Sequence, residues 1–236
     1  MSRPILALST AVLLALLTTA CVTDRSGDEL LVLGPSSLAD HLDEFNQPWA
    51  DEGAAFSYAG STTQVRAVEE GADADVLITA NPDVAVTLVD AGLVPLPFVM
   101  NSLAIVTPVG NPAGVATLSD LGRDDLLVAI CAVDVPCGAA TDQLPVRITA
   151  DTTEPNVRAV LTKVEEGIVD VGVVYASDAA VGRVEEPVAL TNDENVWTAY
   201  VAFNVSGRPI AGDYLYALLT DGRDHLVELG IGFDAP

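Results

Sequence analysis

Two serines in this 236-residue chain stand where hydroxyl chemistry is easiest to arrange. In Gly34-Pro35-Ser36-Ser37-Leu38-Ala39-Asp40, Ser37 precedes Asp40 by three residues, and in Tyr58-Ala59-Gly60-Ser61-Thr62-Thr63-Gln64, Ser61 precedes Gln64 by three. Both spacings are helix N-capping patterns, which place each serine at a helix start beside unpaired backbone N–H groups. Such a start is an anion site, because the free N–H groups and the helix dipole both favour negative charge. Capping alone would account for either serine. Two of them after successive apolar runs, with small residues around them, favour a ligand.

Three further positions qualify. Val135-Pro136-Cys137-Gly138-Ala139-Ala140 follows an apolar run; Gly138 permits close backbone approach, and the alanines suit a helix start. Glu154-Pro155-Asn156-Val157 opens another helical pattern, where the Val157 N–H has no intrahelical partner. Tyr175 ends the run Val171-Gly172-Val173-Val174-Tyr175, where its hydroxyl can meet a ligand or its ring can simply pack. Nucleophilic chemistry has weaker support. There is no Gly-x-Ser-x-Gly elbow for a serine hydrolase built on Ser37 or Ser61. Of the two histidines, His41 is expected to face solvent one turn after Ser37, and His225 belongs to a C-terminal helix.

The elements that must hold these residues alternate. Strands are expected at Leu30–Gly34, Phe56–Ala59, Asp75–Thr79, Leu103–Thr107, Leu126–Ile130, Val171–Tyr175 and Thr198–Val205, all rich in Val, Ile, Leu and Ala. Between them, Leu38, Leu42, Phe45 and Trp49 share one helical face. Further helices are expected around Val65 and Val68, over Pro82–Ala91 and Pro155–Glu166, and over Ile210–Thr220 and Arg223–Leu229. The alternation predicts an α/β fold with mostly parallel sheets, whose ligands lie at the carboxyl ends of strands.

The N-terminus reads as a targeting segment. Arg3 precedes an apolar run from Ile5 to Leu17, and small residues lead to Cys21. Residues 1–20 are expected to be a lipoprotein-type signal peptide, Cys21 the lipidated terminus, and 21–29 a polar tether, which makes the chain extracytoplasmic and membrane-anchored. Cys131 and Cys137 then remain as a pair, and an oxidising compartment favours a disulfide between them. With only two histidines, neither near these cysteines, a zinc site is not expected. The formal net charge is −24. Such a chain repels nucleic acid, and it also repels an anionic ligand at long range, so short hydrogen bonds must do any anion binding.

Four segments carry a family resemblance: Phe56-Ser57-Tyr58-Ala59-Gly60-Ser61-Thr62, Glu69-Glu70-Gly71-Ala72-Asp73-Ala74-Asp75-Val76, Val135-Pro136-Cys137-Gly138 and Val173-Val174-Tyr175-Ala176-Ser177-Asp178-Ala179. In order, from about Leu31 to Phe233, the chain resembles the molybdate-binding proteins of bacterial ABC importers. The resemblance implies a two-lobed type II periplasmic-binding-protein fold with the ligand in the cleft. One lobe would hold 30–100 plus 202–236 and the other 101–201, with crossings near Asn101–Ile105 and Trp197–Val201. It implies that Ser37, Ser61 and Tyr175 give hydroxyl donors, and that Cys137 and Val157 give backbone N–H groups, to molybdate or tungstate. It calls for no enzyme activity and no cofactor, and for a monomer that delivers to a permease with its ATPase. Sulfate, thiosulfate or another oxyanion would suit the same architecture. All five donors are neutral, which suits a dianion that keeps no proton. The chain departs from the family in three places: Gly34-Pro35-Ser36 before the first serine, Asn81 where aspartate is usual, and a shortened stretch between Gly138 and Val157.

Overall fold

The computed structural model describes residues 29–232. The signal segment, Cys21 and all but the last residue of the tether lie outside these residues. Among the described residues, no helix is long and apolar enough to cross a membrane.

The strands are β1 (Leu31–Pro35), β2 (Ala55–Ala59), β3 (Val76–Thr79), β4 (Leu96–Pro108), β5 (Val128–Cys131), β6 (Thr152–Glu154), β7 (Val171–Tyr175), β8 (Val184–Val188) and β9 (Trp197–Asn204). The helices are α1 (Asp43–Asp51), α2 (Ser61–Glu69), α3 (Val86–Asp90), α4 (Pro136–Thr141), α5 (Val157–Glu165), α6 (Ala176–Val181), α7 (Pro209–Ala217) and α8 (Arg223–Glu228). The strands run in the order β2-β1-β3-β9-β4-β7-β5-β6, with β8 beside β4.

β4 joins the two halves. Its first part, Leu96 to Ser102, pairs with β9, and its second part, from Leu103, pairs with β7 and β8. Thirteen residues at about 3.3 Å each carry the chain roughly 40 Å, from one half-sheet into the other. β9 returns it, and α7 and α8 pack back on the first half. Tyr214 of α7 anchors this return against Phe45, Trp49 and Phe56, with ring centroids 5.3–6.0 Å apart. Its hydroxyl donates to Asn46 Oδ1 at 2.9 Å.

The α/β alternation is as expected, but the direction of the strands is not. β1–β2, β1–β3, β5–β6 and β5–β7 are parallel, whereas every pair made by β4 or β9 is antiparallel. A strand buried on both faces has the same composition in either direction, so the two crossing strands gave no sign of theirs. The strands β6 and β8 and the helix α6 also escaped the pattern: β6 and α6 are too short to show a period, and β8, with the sequence VEEPV, has no apolar run. The expected helix through Leu38, Leu42, Phe45 and Trp49 is split into a 3₁₀ turn, Ser36–Leu38, and α1. Pro82–Ala91 is likewise a 3₁₀ turn, Pro82–Ala85, followed by α3. α7 and α8 are joined by a π-helical turn, Leu218–Gly222, rather than a break.

Cys131 and Cys137 form a disulfide that ties the end of β5 to the first turn of α4. Closing a loop this short restricts the unfolded chain by about 2 kcal/mol. The double substitution Cys131→Ser with Cys137→Ser should lower the unfolding free energy by about that much in denaturant titration; an unchanged midpoint would mean the bridge contributes nothing.

Candidate functional site

The five positions singled out in the sequence lie on five different junctions at strand ends or helix starts, and the fold brings them to one small cavity. Ser37, Ser61, Cys137, Val157 and Tyr175 all line it, together with Gly60 and Asn156, and none of its lining residues is charged. The cavity is tight, with a volume of about 10 Å³. Ser37 and Ser61 come from the carboxyl ends of β1 and β2, Cys137 and Val157 from the starts of α4 and α5, and Tyr175 from the end of β7.

Neither serine caps a helix. Ser37 sits in the 3₁₀ turn, and Asp40, its expected capping partner, pairs instead with Arg158 from the other side of the cavity. Ser61 is the first residue of α2, after Gly60 at the cap, and the Gln64 amide donates to the Ser57 carbonyl at 2.8 Å. The capping patterns therefore misassign the hydroxyls, for a reason that favours a ligand. Ser61 Oγ accepts the Ala80 N–H at 3.1 Å, which occupies the oxygen and leaves its proton unspent. Ser37 Oγ lies 2.7 Å from the Tyr200 hydroxyl.

The backbone donors are equally uncommitted. In α4 the first intrahelical bond is Ala139 N–H to Val135 O, and Pro136 has no N–H, so the Cys137 N–H is one of the unpaired groups of the first turn. In α5 the Asn156 side chain caps the Ala159 N–H at 3.0 Å and leaves that of Val157 without an intrahelical partner. Tyr175 is 1% exposed, and its hydroxyl has no hydrogen-bond partner among the described residues. Burial pushes its pKa well above that of a free phenol, so the group stays a donor. A buried donor left unmatched costs about 1–3 kcal/mol, and an acceptor in the cavity would recover it.

Contacts across the cavity hold its walls together. The Thr62 hydroxyl donates to the Asp134 carbonyl at 3.2 Å, and the Arg158–Asp40 ion pair closes another side. Gly60 faces the Pro155 carbonyl so closely that a Cβ would sit 2.9 Å from it. The only lysine, Lys163, is paired with Glu154 at 2.6 Å and lies outside the lining. Asn81, at the position where the family carries aspartate, accepts the Asp83 N–H at 2.7 Å as a cap.

The histidines are not placed for nucleophilic chemistry. His41 is buried rather than exposed, with Nε2 3.2 Å from the Ser177 carbonyl, and burial lowers its pKa. His225 Nε2 lies 3.0 Å from the His41 carbonyl. A carbonyl only accepts, so both nitrogens donate, and each is engaged away from Ser37 and Ser61. Sequence reasoning missed the roles of Asn101, Ser177 and Tyr200, all buried: the Tyr200 hydroxyl meets Ser37 Oγ, and Asn101 bonds both Tyr200 and Ser177. One signal was available for Asn101: a polar residue inside the apolar run of β4 needs a buried partner.

The two half-sheets joined by paired crossing strands, with a cavity of neutral donors between them, define a two-lobed type II periplasmic-binding-protein fold. The chain matches the family described as bacterial extracellular solute-binding protein over residues 30–223, and it belongs to that family. It is 37% identical over 131 residues to the molybdate-binding protein of Mycobacterium tuberculosis, a match covering 52% of this chain and 50% of that protein. The match thus spans about half the length of that relative. A Bacillus subtilis protein assigned as an ABC transporter substrate-binding lipoprotein is 25% identical over 231 residues, covering 87% of this chain and 89% of its own. Among solved structures, the periplasmic molybdate-binding protein of Azotobacter vinelandii superposes with a TM-score of 0.68 at 15% identity, over 88% of this chain and 99% of that one. At that identity the likeness concerns the fold.

Proposed function

We propose that this protein captures a fully deprotonated tetrahedral oxyanion, molybdate or tungstate, in the cavity between its lobes and delivers it to an ABC permease with its ATPase. The observation that carries this reading is the buried, unpartnered Tyr175 hydroxyl facing a cavity whose other polar groups also offer protons and whose lining holds no charge. Such a set repels cations and has no acceptor placed for a ligand's own proton. Five hydrogen bonds to a charged ligand, at about 1.5–3 kcal/mol each, give on the order of 7–15 kcal/mol gross. After an association cost of roughly 4 kcal/mol or more, up to about 11 kcal/mol remains, which corresponds to a dissociation constant down to about 10 nM. The mycobacterial relative's name favours molybdate over sulfate, which has the same charge and shape and must be discriminated by cavity size.

The same reading assigns 30–100 plus 202–236 to one lobe and 101–201 to the other, and treats the chain as a monomeric binding protein rather than an enzyme. Export with a lipid on Cys21 fits the N-terminal sequence and the extracellular character of the family. Tyr175, Ser61, Ser37, Cys137 and Val157 are the proposed contacts.

Calorimetric titration of residues 22–236 with molybdate, tungstate and sulfate tests the ligand. Saturable heat with sulfate and none with molybdate would remove the assignment. Tyr175→Phe and Ser61→Ala should each weaken molybdate binding by about 1–3 kcal/mol while leaving the fold intact. Undiminished affinity in both variants would show that the anion is held elsewhere.

A further inference from the structure

We propose that Asn101 and Tyr200 are positioning residues that turn the Ser37 proton toward the cavity, and thereby select anions that carry no proton of their own. The proposal rests on the anion-binding reading above and deepens it. Asn101 lies on β4 and Tyr200 on β9, the two adjacent crossing strands. The Ser102 N–H donates to Asn101 Oδ1 at 3.0 Å, which fixes the orientation of the amide. Its Nδ2 therefore faces the other way, donating to Ser177 Oγ at 2.8 Å and to the Tyr200 hydroxyl at 3.2 Å.

An amide nitrogen only donates. Tyr200 thus receives a proton from Asn101; Ser177, whose Oγ takes the other Asn101 proton, also bonds the Tyr200 hydroxyl and gives its own proton to it, so the Tyr200 proton is left for Ser37 Oγ at 2.7 Å. Ser37 is then an acceptor toward Tyr200 and a donor toward the cavity. Ser37, Asn101 and Tyr200 are all at most 3% exposed, so the polarity of the chain is set by protein groups rather than by solvent.

The consequence is a filter. Ser61 is held as a donor by the Ala80 N–H, and Ser37 by the Asn101–Tyr200 relay. A ligand bearing a hydroxyl, such as hydrogen phosphate, would meet donors where it needs an acceptor, and an unmatched buried donor is costly. Releasing Ser37 from Tyr200 lets its hydroxyl turn and accept.

The test is a double-mutant cycle on the purified protein, titrated with molybdate and, separately, with inorganic phosphate at a pH where phosphate keeps one proton. Tyr200→Phe should weaken molybdate binding about tenfold when Ser37 is present and by less than about twofold in the Ser37→Ala background. It should also narrow the preference for molybdate over phosphate about tenfold. Equal loss in both backgrounds, or an unchanged preference, would overturn the relay and leave Tyr200 as packing. If Tyr200→Phe does not fold, Asn101→Ala enters the same cycle with the same two readings. Failure of the unsubstituted protein to bind molybdate would overturn the anion reading itself, a result separate from a cycle without coupling.

Discussion

Gly138→Ala is expected to lower stability by about 3–5 kcal/mol and to weaken anion binding on the order of 10- to 100-fold. A Cβ at this position would lie 1.8 Å from the Ala132 carbonyl oxygen and 2.4 Å from its carbon, with the Cys131 carbonyl oxygen at 2.8 Å. These are backbone atoms, and they cannot swing aside as a flexible side chain can. Ala132 is committed in both directions: its N–H donates to Glu154 O at 2.8 Å, and its carbonyl accepts from the Val135 N–H at 3.1 Å. The disulfide holds Cys131 to Cys137, so the loop cannot widen to make room. The methyl group must therefore displace either the β5–β6 pairing or the start of α4. Displacing α4 moves the Cys137 N–H away from the cavity. Gly212→Ala is the control: it is also a helical glycine, a Cβ there meets nothing within 4 Å, and alanine should leave stability unchanged or raise it slightly. Equal thermal midpoints for the two variants would refute the steric argument.

Asp178→Asn is expected to stabilise the protein at high pH and not at low pH. Asp178 is fully buried in α6, three residues beyond Tyr175, and its carboxylate oxygens have no hydrogen-bond partner of normal geometry among the described residues. Burial pushes its pKa up to about 7, against the opposing pull of the Arg158 guanidinium and with a further push from Asp40. The Tyr175 and Tyr200 phenols also lie within its field. Between the usual value of 3.8 and about 7, the native state keeps a proton that the unfolded chain has lost. Stability therefore falls as pH rises through that window and levels off above it. The full shift corresponds to on the order of 4 kcal/mol. Asparagine has no such dependence, so the stability difference should move toward the variant by about that amount between pH 4 and pH 8. Urea titrations of both proteins at the two pH values read it directly. Parallel pH profiles would mean that the carboxyl titrates normally. Below about pH 7 the neutral carboxyl also spares the cavity a nearby negative charge, which links this group to the anion site.

The residue types of the site were legible because each follows the end of a strand or opens a helix, where donors go unpaired. Val157 shows the limit of that: its side chain carries no chemistry, and its place at a helix start singles it out only together with the family resemblance. The roles of the serine hydroxyls were less legible. Ser37 and Ser61 have the spacing of caps, yet one contacts Tyr200, 163 residues away, and the other accepts from Ala80, 19 residues away. A local pattern reports only the partners within one helical turn. His41 was misjudged for the same reason, because the carbonyl that buries its imidazole belongs to Ser177, 136 residues further on. The reverse holds for Cys131 and Cys137: six residues and an oxidising compartment left little choice, and they are bonded.

By itself, the sequence determined the alternation of strands and helices, the family, and a set of neutral donors suited to an anion. These follow from local periodicity, from turn chemistry and from the absence of lysine and arginine at those positions. The tertiary structure alone decided that β4 and β9 run antiparallel, that five positions from five junctions share one cavity, and which distant groups the serine hydroxyls meet. Strand direction and hydroxyl partners depend on groups brought together by long-range packing, and no spacing along the chain encodes an atom that lies a hundred residues away.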